Sequence, residues 1–161
     1  MSKVALLIGG NQGDRQSLIN QATELIQQRI GSVVALSKVY ETEPWGDFEV
    51  ENSELGIERF LNRALLVETP LSAQEVLHEA LAIEAELGRI RPRTSKRKYH
   101  SRPMDIDLIF YDDVVMDTPE LTLPHPRMHL RRFVLEPLAE IMPDYQHPLL
   151  HKTVEQMLSE L

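Results

Sequence analysis

"SRPMDIDLIF", residues 101–110, sets two aspartates into a stretch that otherwise reads as a buried strand. Ile106, Leu108 and Phe110 alternate with Asp105, Asp107 and Ile109. Successive side chains of a strand point to opposite faces, so the aspartates share one, with Cα atoms roughly 6.5–7 Å apart. Two like charges side by side, just after an arginine, mean one of two things. Either that face is wet and idle, or something strongly positive binds there.

The stretches around it supply the rest of a sheet. "KVALLIGG" (3–10) is a continuous apolar run closed by glycines, the pattern of a central strand buried on both faces. From Asp14 onward, Leu18, Ile19, Ala22, Leu25, Ile26 and Ile30 recur at helical spacing. "SVVALSKVYET" (32–42) and "RFLNRALLVET" (59–69) read as strands. A second helix starts at Pro70, with Ser72 and Glu75 in capping-box spacing, and stops near Gly88. The order is strand, helix, strand, strand, helix, strand, and "TVEQMLSEL" is a terminal helix. That is a ferredoxin-like split βαβ sheet of the α+β class, with later elements available to put helices on both faces. One domain over 1–161 is expected from 161 residues that are 42% hydrophobic.

Composition narrows the chemistry. There is no cysteine, hence no disulfide, thiolate metal site or cysteine nucleophile, and a reducing compartment fits. The apolar run Val4–Ile8 is too short to span a membrane and lacks the layout of a secretory signal, so a cytoplasmic protein is expected. A net charge of −8 argues against nucleic-acid or anionic-membrane binding. Yet "RIRPRTSKRKYHSR" (89–102) holds seven of the 17 Lys and Arg and no acid, leaving ten bases against 25 acids elsewhere. An acidic protein with one concentrated basic segment suits a small anion.

Several residues could act on such an anion. Paired carboxylates suit hard cations, and Mg²⁺ is usually held by one or two of them together with substrate phosphates; an ordinary polar strand face would show the same Asp-x-Asp. Glu84 falls in the middle of the second helix's apolar arc of Ile83, Val76, Leu87, Ala80, Leu77 and Leu81, so a partner is required, either an internal arginine or a ligand. Arg89, Arg91 and Arg102 bracket the basic segment, whose interior reads as a mobile flap. "LPHPRMHLRRFVLEPL" (123–138) repeats the basic theme; His125 and His129 stand four apart, but without cysteine or a third ligand the spacing favours phosphate or ribose over zinc. "GGNQGD" (9–14) matches neither glycine-rich phosphate-loop pattern and reads as a turn with Asp14 capping the helix.

Seven pieces in order carry a resemblance: "GGNQGD" (9–14), "YETEPWG" (40–46), "FLN" (60–62), "IEAELGR" (83–89), "RPMDIDLIFYDD" (102–113), "LTLPHPRM" (121–128) and "RRFVLEPL" (131–138). The chain resembles the 6-hydroxymethyl-7,8-dihydropterin pyrophosphokinase family nearly end to end. The resemblance implies transfer of pyrophosphate from ATP to the pterin hydroxymethyl group in folate biosynthesis, with AMP as the other product. It implies that Asp105 and Asp107 hold two Mg²⁺ ions, and that Arg89 and Arg102 assist transfer while Arg91 guides ligands. Glu84, Leu108, Thr122, His125 and Arg131 would line the nucleotide site. The pterin would lie between Phe60 and Phe133, read by Asn62 and the backbone of Thr42, Pro44 and Trp45. The acidic stretch 43–58 and the basic stretch 89–102 would be two mobile catalytic loops, and the enzyme a monomer acting on small molecules without nucleic acid or membrane.

There are departures from the family pattern. Gly10 stands for a common serine, Phe60 for a tyrosine, and Pro103-Met104 for Thr-Leu. Leu81 and Glu120 occupy nucleotide-contact positions, and Tyr99 stands for a tryptophan, so no role is carried onto Lys98, Tyr99 or Glu120. The alternative is a non-catalytic ferredoxin-like module binding an anion or RNA. It would need aromatics and a basic sheet face where "DIDLIF" puts acids. A catalytically dead scaffold is a third reading, opposed by the retained aspartates and arginines.

Overall fold

The computed structural model describes residues 1–42, 60–88 and 104–161. Its centre is β1 (Ser2–Gly10), buried from Val4 to Gly10. β1 pairs antiparallel with β4 (Phe60–Thr69) on one side and β5 (Asp105–Tyr111) on the other. A strand hydrogen-bonded on both edges and covered on both faces has no use for polar side chains, which explains the unbroken apolar run. β2 (Ser32–Leu36) and β3 (Tyr40–Thr42) both pair antiparallel with β4, giving the order β2-β4-β1-β5 with β3 beside β4. This is the expected split βαβ plan, antiparallel throughout.

Helices α1 (Arg15–Arg29) and α2 (Ala73–Gly88) cover one face, packing Ile19, Ile26, Val76 and Ile83 against Leu6, Ile8, Leu65 and Leu108. Helices α3 (Arg132–Ile141) and α4 (Val154–Ser159) cover the other, over Ala5, Leu7, Ala64 and Phe110. Local signals fixed the helix starts. The Asp14 side chain accepts from Ser17 N–H at 3.2 Å, after Gly13 has turned the chain at φ +69°. Ser72 and Glu75 form the reciprocal capping box, Ser72 N–H donating to Glu75 at 2.8 Å and Glu75 N–H to Ser72 Oγ at 3.1 Å. Glu79 and Glu86, outside the apolar arc of α2, reach Arg29 of α1 at 3.2 and 2.7 Å.

Two elements differ from the sequence expectation. The single strand expected over 32–42 is two, because Ser37 interrupts it. Its buried Oγ accepts from Ala64 N–H at 3.0 Å, and its carbonyl takes Arg63 Nε at 2.9 Å, so a side chain replaces one rung of the ladder. The simple alternation expected through Phe110 also fails. Leu6 pairs with Leu108 but Ala5 with Phe110, so Ile109 is an inserted bulge residue and Phe110 crosses to the face that carries the aspartates. The turn-rich stretch after β5 holds a two-stranded ribbon, β6 (Met116–Asp117) and β7 (Thr122–Leu123).

The C-terminal segment closes the α3 face. Tyr145 Oη–H donates to the Asp112 carbonyl, and Val154 N–H to the Tyr145 carbonyl at 3.0 Å. His147, 4% exposed, accepts at Nδ1 from Leu149 N–H and Leu150 N–H, both at 3.1 Å. Burial, then the neighbouring His129 and His151, push this imidazole below its ordinary value of 6.5. The unfolded chain therefore takes up a proton near pH 6.5 that the native chain refuses, so this contribution is whole above that pH and is lost as pH falls below it. We expect the urea midpoint to drop between about pH 7.5 and about pH 5.5 by more in the wild type than in His147→Gln. Equal drops would mean that His147 does not couple folding to pH.

Candidate active site

The register of the sheet gathers the site. Gly9 of β1 lies opposite Asp105 on one side and Asn62 on the other, and Leu7 lies opposite Asp107 and Ala64. Leu7 and Ala64 belong to the core under α3, so Asp105, Asp107 and Asn62 point to that face too. β3 extends the row, placing Tyr40 opposite Asn62 and Thr42 opposite Phe60. One end of the sheet thus presents Asp105, Asp107, Asn62, Phe60 and Thr42 on a single face, beyond the last apolar residues of that core. Asn62 is 6% exposed and its Nδ2–H donates to Thr42 Oγ1 at 2.9 Å.

This packing explains Gly9 without any phosphate. A Cβ there would stand 2.4 Å from the Leu61 carbonyl oxygen and 2.6 Å from Asn62 Oδ1. The glycine keeps the amide of Asn62 tight against β1, a role that spacing alone did not reveal.

Basic groups arrive from the segment before α3. His125 N–H donates to the carbonyl of the bulge residue Ile109 at 3.0 Å, which ties the segment to β5. The His125 Nδ1 accepts from Arg127 N–H at 3.3 Å, leaving the ring proton on Nε2 as a donor. Burial and then Arg131 hold its pKa below the ordinary 6.5, with Asp105 opposing and Arg127 adding to the shift, so the ring is neutral at pH 7. Arg131 occupies the cap position of α3, its guanidinium carbon 5.6 Å from the centre of the Phe133 ring. Burial and Arg127 loosen its hold on the proton while Asp107 strengthens it. A cation at the positive end of a helix is unfavourable by itself, and an anion bound there would relieve both charges.

The remaining expected residues fall as follows. Glu84 of α2 accepts the Ile106 N–H at 2.6 Å, so one of its partners is the backbone between the two aspartates. Thr122 sits on β7, which packs against β5. Leu108, 5% exposed, sends its side chain into the α1–α2 core on the opposite face, which leaves only its backbone to the site. Pro44, Trp45, Arg89, Arg91 and Arg102 lie outside the described residues, as do the two expected loops. Among the described residues no group of three or more His, Cys, Asp or Glu forms a cage that could hold a metal ion. Two carboxylates on one strand face, as hard oxygen donors, fit Mg²⁺ held jointly with a polyphosphate.

Fold and site together define a class: an α+β protein whose sheet end joins an acidic pair to a basic, aromatic-flanked helix start. The chain belongs to the 7,8-dihydro-6-hydroxymethylpterin-pyrophosphokinase (HPPK) family, whose sequence model matches residues 5–143. It is 42% identical over 149 residues to 2-amino-4-hydroxy-6-hydroxymethyldihydropteridine pyrophosphokinase of Porphyromonas gingivalis, covering 92% of this chain and 95% of that one. To the protein of the same name from Aquifex aeolicus it is 36% identical over 160 residues, 99% of this chain and 92% of the other. A solved Plasmodium falciparum HPPK-DHPS shares the fold at a TM-score of 0.74 and 17% identity, covering 99% of this chain. This chain spans 44% of the length of that larger protein.

Gly9→Ala tests the geometry around Asn62. We expect a loss of roughly 1–3 kcal/mol in denaturant unfolding, the usual cost of overpacking, and a shifted Asn62 side-chain amide in ¹H–¹⁵N spectra. An unchanged midpoint would show that β1 and β4 can separate locally at no cost.

Proposed function

We propose that this protein transfers the pyrophosphoryl group of ATP to the hydroxymethyl oxygen of 6-hydroxymethyl-7,8-dihydropterin, in folate biosynthesis. The hydroxyl oxygen bonds to the β-phosphorus, the bond from that phosphorus to the α,β-bridging oxygen breaks, AMP leaves, and the hydroxyl proton goes to solvent. The observation that carries this reading is the meeting of Asp105 and Asp107 with His125, Arg131 and Phe133 at one end of the sheet, in a chain of this family.

Each residue then has a task. Asp105 and Asp107 would hold two Mg²⁺ ions shared with the ATP phosphates. Such ions neutralise charge on the transferring group and its attacking oxygen. Arg131, held against Phe133, faces the phosphates with a planar donor fork. Neutral His125 offers its Nε2–H to a phosphate or ribose oxygen, and Thr122 and the backbone of Leu108 line the same nucleotide. Phe60 and Phe133 sandwich the flat pterin, and Asn62, oriented by Thr42, reads its polar edge together with the backbone near Pro44 and Trp45. Arg89 and Arg102 assist transfer and Arg91 guides the nucleotide. We take 1–161 as one domain, acting as a cytoplasmic monomer; none of the helices, among the described residues, is long and apolar enough to cross a membrane.

The direct test is AMP release from ATP. With 6-hydroxymethyl-7,8-dihydropterin and Mg²⁺ present, AMP should form, and omission of the pterin or addition of EDTA should stop it. Release of ADP would replace this reaction with simple phosphoryl transfer. Asp107→Ala should lower turnover at least about a hundredfold, as loss of a charge-neutralising contact does, with the circular-dichroism melt unchanged. A collapsed melt would make the aspartate a structural residue.

A further inference from the structure

We propose that Glu84 is a positioning residue for the acidic pair, acting through the backbone of Ile106. The role presupposes that Asp105 and Asp107 bind a divalent cation, as the proposed reaction requires.

β5 is an edge strand among the described residues, bonded to β1 along one side only. Ile106 turns its N–H to the open side, and the Glu84 carboxylate meets it there at 2.6 Å, the length of a charge-assisted hydrogen bond. The peptide plane bearing this N–H is the one that joins Asp105 to Ile106. Fixing a planar peptide fixes ψ of the residue before it and φ of the residue after it. The pinned peptide therefore sets the direction in which Asp105 leaves the strand and its spacing from Asp107. The opposite side of the same strand segment is held by its pairing with Ile8, Gly9 and Leu7. Glu84 completes the frame from the outside.

The placement also accounts for a carboxylate at the edge of α2's buried arc. Val76, Ala80, Ile83 and Leu87 of that arc are at most 8% exposed and pack on the sheet. Glu84 borders them beside partly buried Leu77 and is half-buried; Leu81, expected on the same arc, is 51% exposed, so the buried arc is narrower than the sequence suggests and Glu84 stands at its edge. A carboxylate there costs desolvation that an apolar residue would avoid. An apolar residue would pack as well but could not hold the amide.

The test compares Glu84→Gln, which keeps a carbonyl acceptor of the same reach, with Glu84→Ala. Three readouts are taken: amide exchange at Ile106 in the metal-free protein, Mn²⁺ affinity by electron paramagnetic resonance with a non-hydrolysable ATP analogue, and analogue binding without metal. Glu84→Ala should speed Ile106 exchange selectively and weaken Mn²⁺ by about 10–100-fold, the usual effect of removing an outer-shell partner. Analogue binding without metal should stay within about twofold, and Glu84→Gln should restore both other readouts to within about threefold of wild type. Should Glu84→Ala fail to fold, Glu84→Asp, one methylene shorter, takes its place.

Weakened metal-free analogue binding with unchanged Ile106 exchange would make Glu84 a nucleotide ligand and overturn the proposal. Loss of Mn²⁺ affinity in Glu84→Gln equal to that in Glu84→Ala would assign the effect to charge, and would overturn the backbone route. A wild type that binds no Mn²⁺ while Ile106 stays protected would instead bring down the cation reading, and with it the task given to the anchored pair.

Discussion

The pleat of β1 is the constraint on which the rest depends. Its residues alternate between two cores, and because β4 and β5 pair with it on either side, they inherit its alternation. Leu6 and Ile8 fix one face for α1 and α2; Ala5 and Leu7 fix the other for α3 and α4. A slip of one residue in the β1–β5 register would turn Asp105 and Asp107 into the α1–α2 core and send Ile106 and Leu108 to the site. Burying two carboxylates among leucines and isoleucines is so unfavourable that the aspartates themselves help to hold the register.

The site gathers charge of both signs at one end of the sheet. Two carboxylates share one strand face, while Arg131 sits at the positive end of α3 and Arg127 nearby depresses the basicity of both His125 and Arg131. Under the proposed function, cations would answer the aspartates and phosphate oxygens the arginines. No glycine-rich phosphate loop is needed. The glycine at position 9 serves close packing, and the glycine at 13 a left-handed turn into α1.

Much of this was legible in the sequence wherever one local rule decided the outcome. The capping residues Asp14, Ser72 and Glu75, the apolar arcs of α1 and α2, the buried strand at 3–10 and the shared face of the aspartates all follow from short-range spacing. What was not legible depended on distant partners. Ser37 breaks the strand over 32–42 only because Ala64 presents an N–H there. Ile109 bulges in register with β1, and its carbonyl finds His125 sixteen residues on. Helical periodicity marked Glu84 as anomalous but could not name its partner, since Ile106 lies on another element. Leu108 was matched to the nucleotide by motif, and only the sheet register shows that its side chain faces away.

Two of these long-range contacts fall on one feature, the outer edge of β5. An edge strand exposes backbone groups that must be blunted or used. Here Ile106 N–H is taken by Glu84 from α2, and Ile109 C=O by His125 from the segment leading into α3. The first contact ties the strand to the helices of one face; the second ties it to the basic groups of the other. Between the two anchors lie Asp107 and Leu108, with Asp105 just outside the first. A strand fixed on both edges over so short a span has little freedom to twist, so the directions of its side chains are set by the fold itself. The bulge is necessary to that result, because it turns an extra carbonyl outward without disturbing the register that β1 imposes on the aspartates.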